Sequence, residues 1–194
     1  MALSDRSYSQ RPPSSNGLPF AVKWMLIVNS AIFVLAFFSQ VMSLTWVRHV
    51  ILDSSGVLQS LKIWQLVTYA FVHLDPISWL FNGITLYFFG AMMERMWGTD
   101  RFLKFFLSCA VGGAILGILG SFLFGGGVAV GSAAGTLGLI VAFGVLFADE
   151  QVYFFFAPIK AKYLAMIVGL LAFFQAFSNP FGGIVHIGGG LTGL

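Results

Sequence analysis

Phe105–Phe124 reads FFLSCAVGGAILGILGSFLF, twenty residues in a row without a charged side chain. A helix needs about 20 consecutive apolar residues to cross the hydrocarbon core of a membrane. Gly113 and Gly117 lie four residues apart within it, and small residues at this spacing let two helix backbones approach closely in a membrane. The stretch therefore predicts a transmembrane helix that packs against a neighbouring helix.

The composition of the whole chain agrees with this prediction. Its 194 residues are 58% hydrophobic and 9% charged, whereas soluble domains carry about 25% charged residues. The net charge is +3, but the basic residues lie at the ends of apolar stretches rather than in one patch, so we expect no nucleic-acid partner. Cys109 is the single cysteine, which excludes an internal disulfide.

Five further apolar stretches accompany the first and predict an all-α membrane protein, a bundle of six transmembrane helices. The predicted spans cover residues 22–42, 77–93, 105–124, 132–148, 163–177 and 184–194. As a helix, the last stretch would reach roughly 17 Å, against about 30 Å for the hydrocarbon core. We therefore expect the sixth span to be truncated in this chain.

Two segments outside the spans differ from them in composition. Residues 1–20 are rich in Ser, Pro and Arg, which predicts a disordered cytoplasmic tail before a membrane domain over residues 21–194. Residues 43–76 mix apolar residues with Trp46 and Trp64. Aromatic side chains settle at membrane–water interfaces, so this segment predicts a structured interfacial loop between the first two spans.

Lys and Arg are unevenly distributed between the loops. With the N-terminus inside, the inner segments hold eight of these residues and the outer segments hold two. Positive charge favours the cytoplasmic side, so we expect a cytoplasmic N-terminus. The compact chain, which shows no organelle-targeting leader, favours the inner (plasma) membrane of a bacterium as its location.

A few polar groups lie within the apolar stretches, where such groups are costly unless they pair or line a wet cavity. The imidazole of His186 could act as a general base, and the amide of Asn82 could donate to an oxyanion. Each also has a structural explanation, a backbone carbonyl for the histidine and an interhelical hydrogen bond for the asparagine. The third group is the turn Gly131–Gly135, GSAAG, which opens the predicted fourth helix where free N–H groups are exposed.

The spacing of these residues predicts where they meet. His186, Gly189 and Gly193 fall on one helical face, so we expect the imidazole to face the start of the fourth span. A nucleophile would be expected at position 133 of that span, but the residue is Ala133. Ser132 lies about 100° round the helix and does not simply substitute for it.

These motifs resemble those of the rhomboid intramembrane serine proteases over about 64–194. The family has a loop histidine, an asparagine and a Glu-x-x-x-Gly step around its second span, Gly-x-Ser-Gly at its fourth and His-x-x-Gly at its sixth. The matching residues are His73, Asn82, Glu94–Gly98, Gly131–Ala134 and His186–Gly189. From the residues themselves, we expect His73 to tie the interfacial loop to the helix of the second span.

The resemblance implies a Ser–His dyad that cleaves transmembrane protein substrates among membrane lipids, with no cofactor and no metal ion. Ala133 then stands at the nucleophile position and His186 is the base. Asn82 and the backbone N–H of residue 133 hold the oxyanion, and Ser78 stands where many members have a second oxyanion histidine. The resemblance also implies an outward cavity capped by the loop 179–183, with substrate entering near the fifth span.

The chain departs from the family pattern at Ala133, at Ala134 in place of a glycine, at Ser78, and at Gln65 in place of an arginine.

Three interpretations of the function of the chain stay open. The chain is a protease inactivated by alanine at position 133, most simply through engineering. Alternatively, it is a natural non-catalytic relative that binds transmembrane clients. A third interpretation makes Ser132 the nucleophile of a shifted motif.

Overall fold

The computed structural model of the chain describes residues 17–41, 45–154 and 157–194. Most of the predicted tail, residues 1–16, lies outside the described residues. The described helices, in chain order, are α1 (Phe20–Val41), α2 (Val47–Val50), α3 (Ser54–Ser60), α4 (Gln65–Thr68), α5 (Pro76–Thr85), α6 (Ala91–Trp97), α7 (Thr99–Phe124), α8 (Ala133–Leu146), α9 (Ala161–Ser178) and α10 (Pro180–Thr192). The short strands are β1 (Leu52–Asp53), β2 (Val128–Ala129), β3 (Gln151–Phe154) and β4 (Ala157–Lys160).

Within the described residues, α1, α7 and α9 are long and apolar enough to cross a membrane. Helices α5 and α6 are joined by a π-helical turn, Leu86–Gly90, and form one helical run. Helix α8 is apolar but has only 14 residues. The prediction of an all-α membrane protein is confirmed, and the count of six spans stays a prediction.

The start of α10 differs from the predicted start of the sixth span. The helix begins at Pro180 because proline suits the first helical position and Asn179 caps it, its Oδ1 accepting from the Gly182 N–H at 3.0 Å. The expected cap loop over residues 179–183 is therefore wrong. Asn179 is the single residue between α9 and α10, and the remainder belongs to the first turn of α10.

Helices α7, α8 and α10 pack backbone to backbone at glycines. A Cβ on Gly138 of α8 would lie 2.5 Å from the Cys109 Sγ of α7 and 2.9 Å from the Gly189 carbonyl oxygen of α10. A Cβ on Gly193 would lie 2.6 Å from the Gly138 carbonyl oxygen. Because lipid provides no hydrophobic drive between helices, close approach of this kind is a main source of their association.

The segment between α1 and α5 is folded against the loop that precedes α8. Strand β1 pairs antiparallel with β2, with Leu52 opposite Ala129. The Gly127 N–H donates to the Ser54 Oγ at 3.0 Å, and the Tyr69 hydroxyl donates to the Ala110 carbonyl of α7 at 2.7 Å. These bonds fix the loop before α8 and therefore the position of the first turn of that helix.

Glu94 joins the ends of three helices. Its side chain lies near the C-terminus of α6 and is 3% exposed. The carboxylate accepts from the backbone N–H groups of Ala21 and Val22 at 2.8 Å each, and from the Thr99 hydroxyl at 2.7 Å. The first N–H groups of a helix have no partner within the helix, so Glu94 satisfies two of them in α1 with charge-assisted bonds.

We expect Glu94→Gln to lower the free energy of unfolding by about 3 kcal/mol, because an amide NH₂ would replace one of the acceptor oxygens in a buried site. Thermal unfolding in detergent micelles measures the change. Asp149→Asn is the matched control, since that carboxylate is 74% exposed where it pairs with Lys160 and Lys162, and exposed pairs add little. Equal losses in both variants would contradict the assigned role of Glu94.

Candidate functional site

The candidate site is built around the first turn of α8. Gly131 precedes the helix with φ +99°, a conformation that side-chain-bearing residues rarely adopt, and its N–H donates to the Tyr69 carbonyl at 3.0 Å. Ser132 follows and is completely buried. The chain therefore enters α8 at a fixed angle, with Ala133 as its first residue.

Position 133 is the accessible position of this turn. Among residues 131–140, all of which are described, Ala133 is half-buried and the others are buried. Ala133 is therefore partly accessible, whereas Ser132 is completely enclosed. The structure therefore gives no access for a substrate to Ser132.

Helix α10 brings the face that carries His186 against this turn. Gly189 lies so close to the Ala134 backbone that a Cβ on the glycine would overlap it. His186 lies three residues earlier, on the same helical face as Gly189, and is half-buried. The small-residue face of the last helix therefore lies against the start of α8, and the prediction that the imidazole itself faces position 133 stays a prediction.

The imidazole of His186 has a partner that the sequence analysis missed. Its Nδ1 lies 2.9 Å from the Oε1 of Gln175, in the last turns of α9. Gln175 is the only side-chain amide between Tyr163 and Phe177. A lone amide in an apolar helix was the signal that could have identified it.

Asn82 is oriented by two hydrogen bonds. Its Nδ2 donates to the Ser78 carbonyl of its own helix at 2.8 Å, and its Oδ1 accepts from the Thr136 hydroxyl of α8 at 2.8 Å. The Ser78 bond requires the amide nitrogen on that side, so the orientation of the amide is fixed. The second N–H of the amide remains available to another acceptor. The role of Thr136, the only polar side chain within α8, was not predicted from the sequence.

Ser78 lies in the first turn of α5 and is exposed. Its backbone N–H donates to the Asp75 Oδ1 at 2.7 Å, which makes Asp75 the N-cap of that helix. The backbone of Ser78 makes both of these hydrogen bonds, its N–H with Asp75 and its carbonyl with the Asn82 amide.

His73 lies elsewhere than predicted. It was expected to tie the interfacial loop to the helix of the second span, but its Nε2 lies 3.3 Å from the Ser132 Oγ and 3.4 Å from the Ser132 backbone nitrogen. His73 therefore links the loop to the start of α8. The prediction failed because β1–β2 pairing, which periodicity does not reveal, brings the two loops together.

Gln65, one of the four departures from the resembled family's pattern, faces inward. It is completely buried, its Oε1 accepts from the Asp53 N–H at 3.2 Å, and its Nε2 donates to the Arg48 carbonyl at 3.3 Å. The side chain therefore holds together the segment between α1 and α5 instead of reaching outward to lipid head groups.

Comparison with known proteins identifies the family of the chain. Residues 60–194 match the family model described as the Rhomboid domain, which is more than half of the chain. The chain belongs to the Rhomboid family. The resemblance drawn from the motifs is therefore confirmed.

Two relatives show how far the likeness of this rhomboid chain extends. It is 25% identical over 138 residues to Rhomboid protease GlpG of Haemophilus influenzae, a match that covers 70% of the chain and 69% of the relative. It is 29% identical over 131 residues to Rhomboid protease GluP of Bacillus subtilis, covering 68% of the chain and 25% of the relative. The rhomboid chain thus spans about a quarter of the second relative.

The buried histidine beside Ser132 makes the stability of the rhomboid chain depend on pH. Burial lowers the pKa of His73 from 6.5 to about 4, an effect that the Asp75 carboxylate and the Phe71 backbone partly oppose. Between these values the unfolded chain binds a proton that the folded protein does not bind. The contribution of neutral His73 is therefore complete above the unfolded pKa and is lost as the pH falls towards the folded one.

We expect His73→Gln to flatten the loss of stability between pH 6.5 and about 4, which for the unchanged protein amounts to about 3 kcal/mol. Glutamine does not titrate but can still accept from Ser132. Thermal unfolding across this pH range measures the slope, and His49→Gln, at an exposed position, is the control. An unchanged slope in His73→Gln would exclude His73 as its source.

Proposed function

We propose that this chain is a rhomboid-type intramembrane serine endopeptidase in a form inactivated by Ala133 at the nucleophile position. The observation that carries the proposal is the accessible position 133, at a helix start packed against the face that carries His186. The two relatives described above are named rhomboid proteases. The proposed setting is a six-span domain over residues 21–194 in a bacterial inner membrane, with the N-terminus in the cytoplasm.

With serine at position 133, the residues of the site would hydrolyse a peptide bond through an acyl-enzyme. The hydroxyl oxygen attacks the carbonyl carbon of a peptide bond in a transmembrane substrate, and its proton passes to Nε2 of His186. The C–N bond then breaks, the leaving amine takes the proton from Nε2, and water hydrolyses the acyl-enzyme with the same histidine as base. The free N–H of Asn82 and the backbone N–H of residue 133 would donate to the oxyanion.

Thr136 supports this role of Asn82. Its hydroxyl donates a hydrogen bond to Oδ1 of the amide, so the amide nitrogen points away from Thr136. The amide is therefore oriented before substrate binds. Donors fixed in advance stabilise developing charge without reorganisation. Exposed Ser78 is the weaker oxyanion candidate, since its described bonds are those of a helix N-terminus.

A second candidate function is the binding of transmembrane clients without cleavage. Ala133 favours it directly, because without a hydroxyl no acyl-enzyme forms and loss of a nucleophile costs on the order of 10⁶ in turnover. Retention of His186 and its Gln175 partner favours the protease, since client binding alone requires neither group. Restoring the hydroxyl distinguishes the two functions.

We expect Ala133→Ser to gain covalent labelling by a serine-directed phosphonate probe in detergent micelles, while the unchanged chain stays unlabelled. Adding His186→Ala should abolish labelling, because the base is lost. Adding Ser132→Ala should leave it in place, because that serine is buried against His73. A folded Ala133→Ser protein that takes no label would reject the protease and favour the client-binding function.

In the Ala133→Ser background we expect Asn82→Ala to lower the rate of substrate cleavage by about 10²–10³, the usual effect of removing one oxyanion donor. Thr136→Val should lower it less, because the amide is kept but its orientation is lost. Cleavage of a transmembrane reporter peptide measures both rates. An Asn82→Ala rate equal to that of the parent would remove Asn82 from the oxyanion site.

A further inference from the structure

We propose that Gln175 is a positioning residue that fixes the tautomer of His186, an inference that rests on the proposed function. The observation is the distance of 2.9 Å between Oε1 of Gln175 and Nδ1 of His186. A carbonyl oxygen accepts hydrogen bonds and does not donate them. With Oε1 as the atom that faces Nδ1, we assign the proton to Nδ1, and in the neutral ring Nε2 then keeps its lone pair.

This tautomer is the one that a general base at His186 needs. Nε2 must accept the proton of an attacking hydroxyl, so the other nitrogen has to be protonated and held. If the glutamine amide were reversed, its NH₂ would donate to Nδ1 and the proton of the ring would lie on Nε2. That ring could not act as a base, so the orientation of one amide decides whether the site can work.

The packing of α9 on α10 explains why the two side chains meet. A single residue, Asn179, separates these helices, and a Cβ on Gly183 would lie 2.5 Å from the Ala176 Cβ. His186 lies three residues after Gly183 on the same face, and Gln175 directly precedes Ala176. The contact of Gly183 with Ala176 and the one-residue connection between the helices therefore set the distance between the amide and the imidazole.

A neutral acceptor suits this place in the bundle. Gln175 is exposed on an apolar helix, where a carboxylate would place a full charge at membrane depth, which is costly. Glutamine orients the ring through one hydrogen bond without that cost. The pairing also makes the geometry of the base depend on α9, because displacement of α9 from α10 would release Nδ1.

The test is nuclear magnetic resonance of the unchanged Ala133 chain, labelled with ¹⁵N at histidine and held in detergent micelles at neutral pH. The ring ¹⁵N shifts report which nitrogen carries the proton, and His186→Gln assigns the resonances. We expect a single tautomer protonated at Nδ1. Gln175→Leu should give a mixture of tautomers, because it removes the acceptor that holds the proton on Nδ1.

The matched control is Leu171→Met, one turn earlier on α9 and exposed, which should leave the ring resonances unchanged. A ring protonated at Nε2 in the unchanged chain would overturn the inference, and so would a Gln175→Leu spectrum equal to that of the parent. Both readouts are independent of any proteolytic activity.

The catalytic consequence is measured separately, in the Ala133→Ser background. Gln175→Leu should lower kcat for a reporter substrate about tenfold with KM unchanged, which is a part of the 10²–10⁴-fold that a positioned base contributes. An unchanged kcat would overturn the positioning role. Absence of all activity in Ala133→Ser, with the Nδ1 tautomer present, would reject the protease while upholding the tautomer assignment.

Discussion

The close contact of α7, α8 and α10 is the constraint on which the rest of the structure depends. These helices approach at glycines until backbone touches backbone, as at Gly138 and Gly193. In lipid, where helices gain little from burying apolar surface against each other, such contact supplies much of the attraction between them. It also determines the depth and direction at which the first turn of α8 meets α10.

Three pairs of polar groups join different parts of the chain. Asn82 bonds to Thr136 between α5 and α8, and His186 bonds to Gln175 between α10 and α9. His73 bonds to Ser132 between the interfacial loop and α8. Unpaired polar groups are expensive in a membrane, so each of these bonds both satisfies a costly group and fixes the register of two elements.

The hydrogen bond between His73 and Ser132 distinguishes two small neighbouring residues, Ser132 and Ala133. Ser132 carries a hydroxyl but is enclosed against His73, whereas Ala133 lacks one but lies at the accessible edge of the turn. A helix rotates by about 100° per residue, which turns adjacent side chains to different surroundings. Position 133 is therefore the accessible one of the two, and the serine beside it links the loop to the start of α8.

The sequence by itself determined the class of protein and most helices, because length and apolarity of a segment suffice to predict a membrane helix. The grouping of Asn82, Ala133 and His186 in one site rested on the family resemblance and stays a proposal. The positions of the spans and the small-residue face of the last helix followed from the residues alone. These properties are local, since they depend on residues within a few turns of one another.

Only the tertiary structure decided the partners of the polar groups. Gln175, Thr136 and the contact of His73 with Ser132 could not be read from spacing, because each joins residues from separate elements. The start of α10 at Pro180 likewise depended on the Asn179 cap rather than on hydrophobicity. Hydrogen bonds of this kind require two helices or loops at a fixed distance and angle, and that distance is set by packing, which one-dimensional periodicity does not contain.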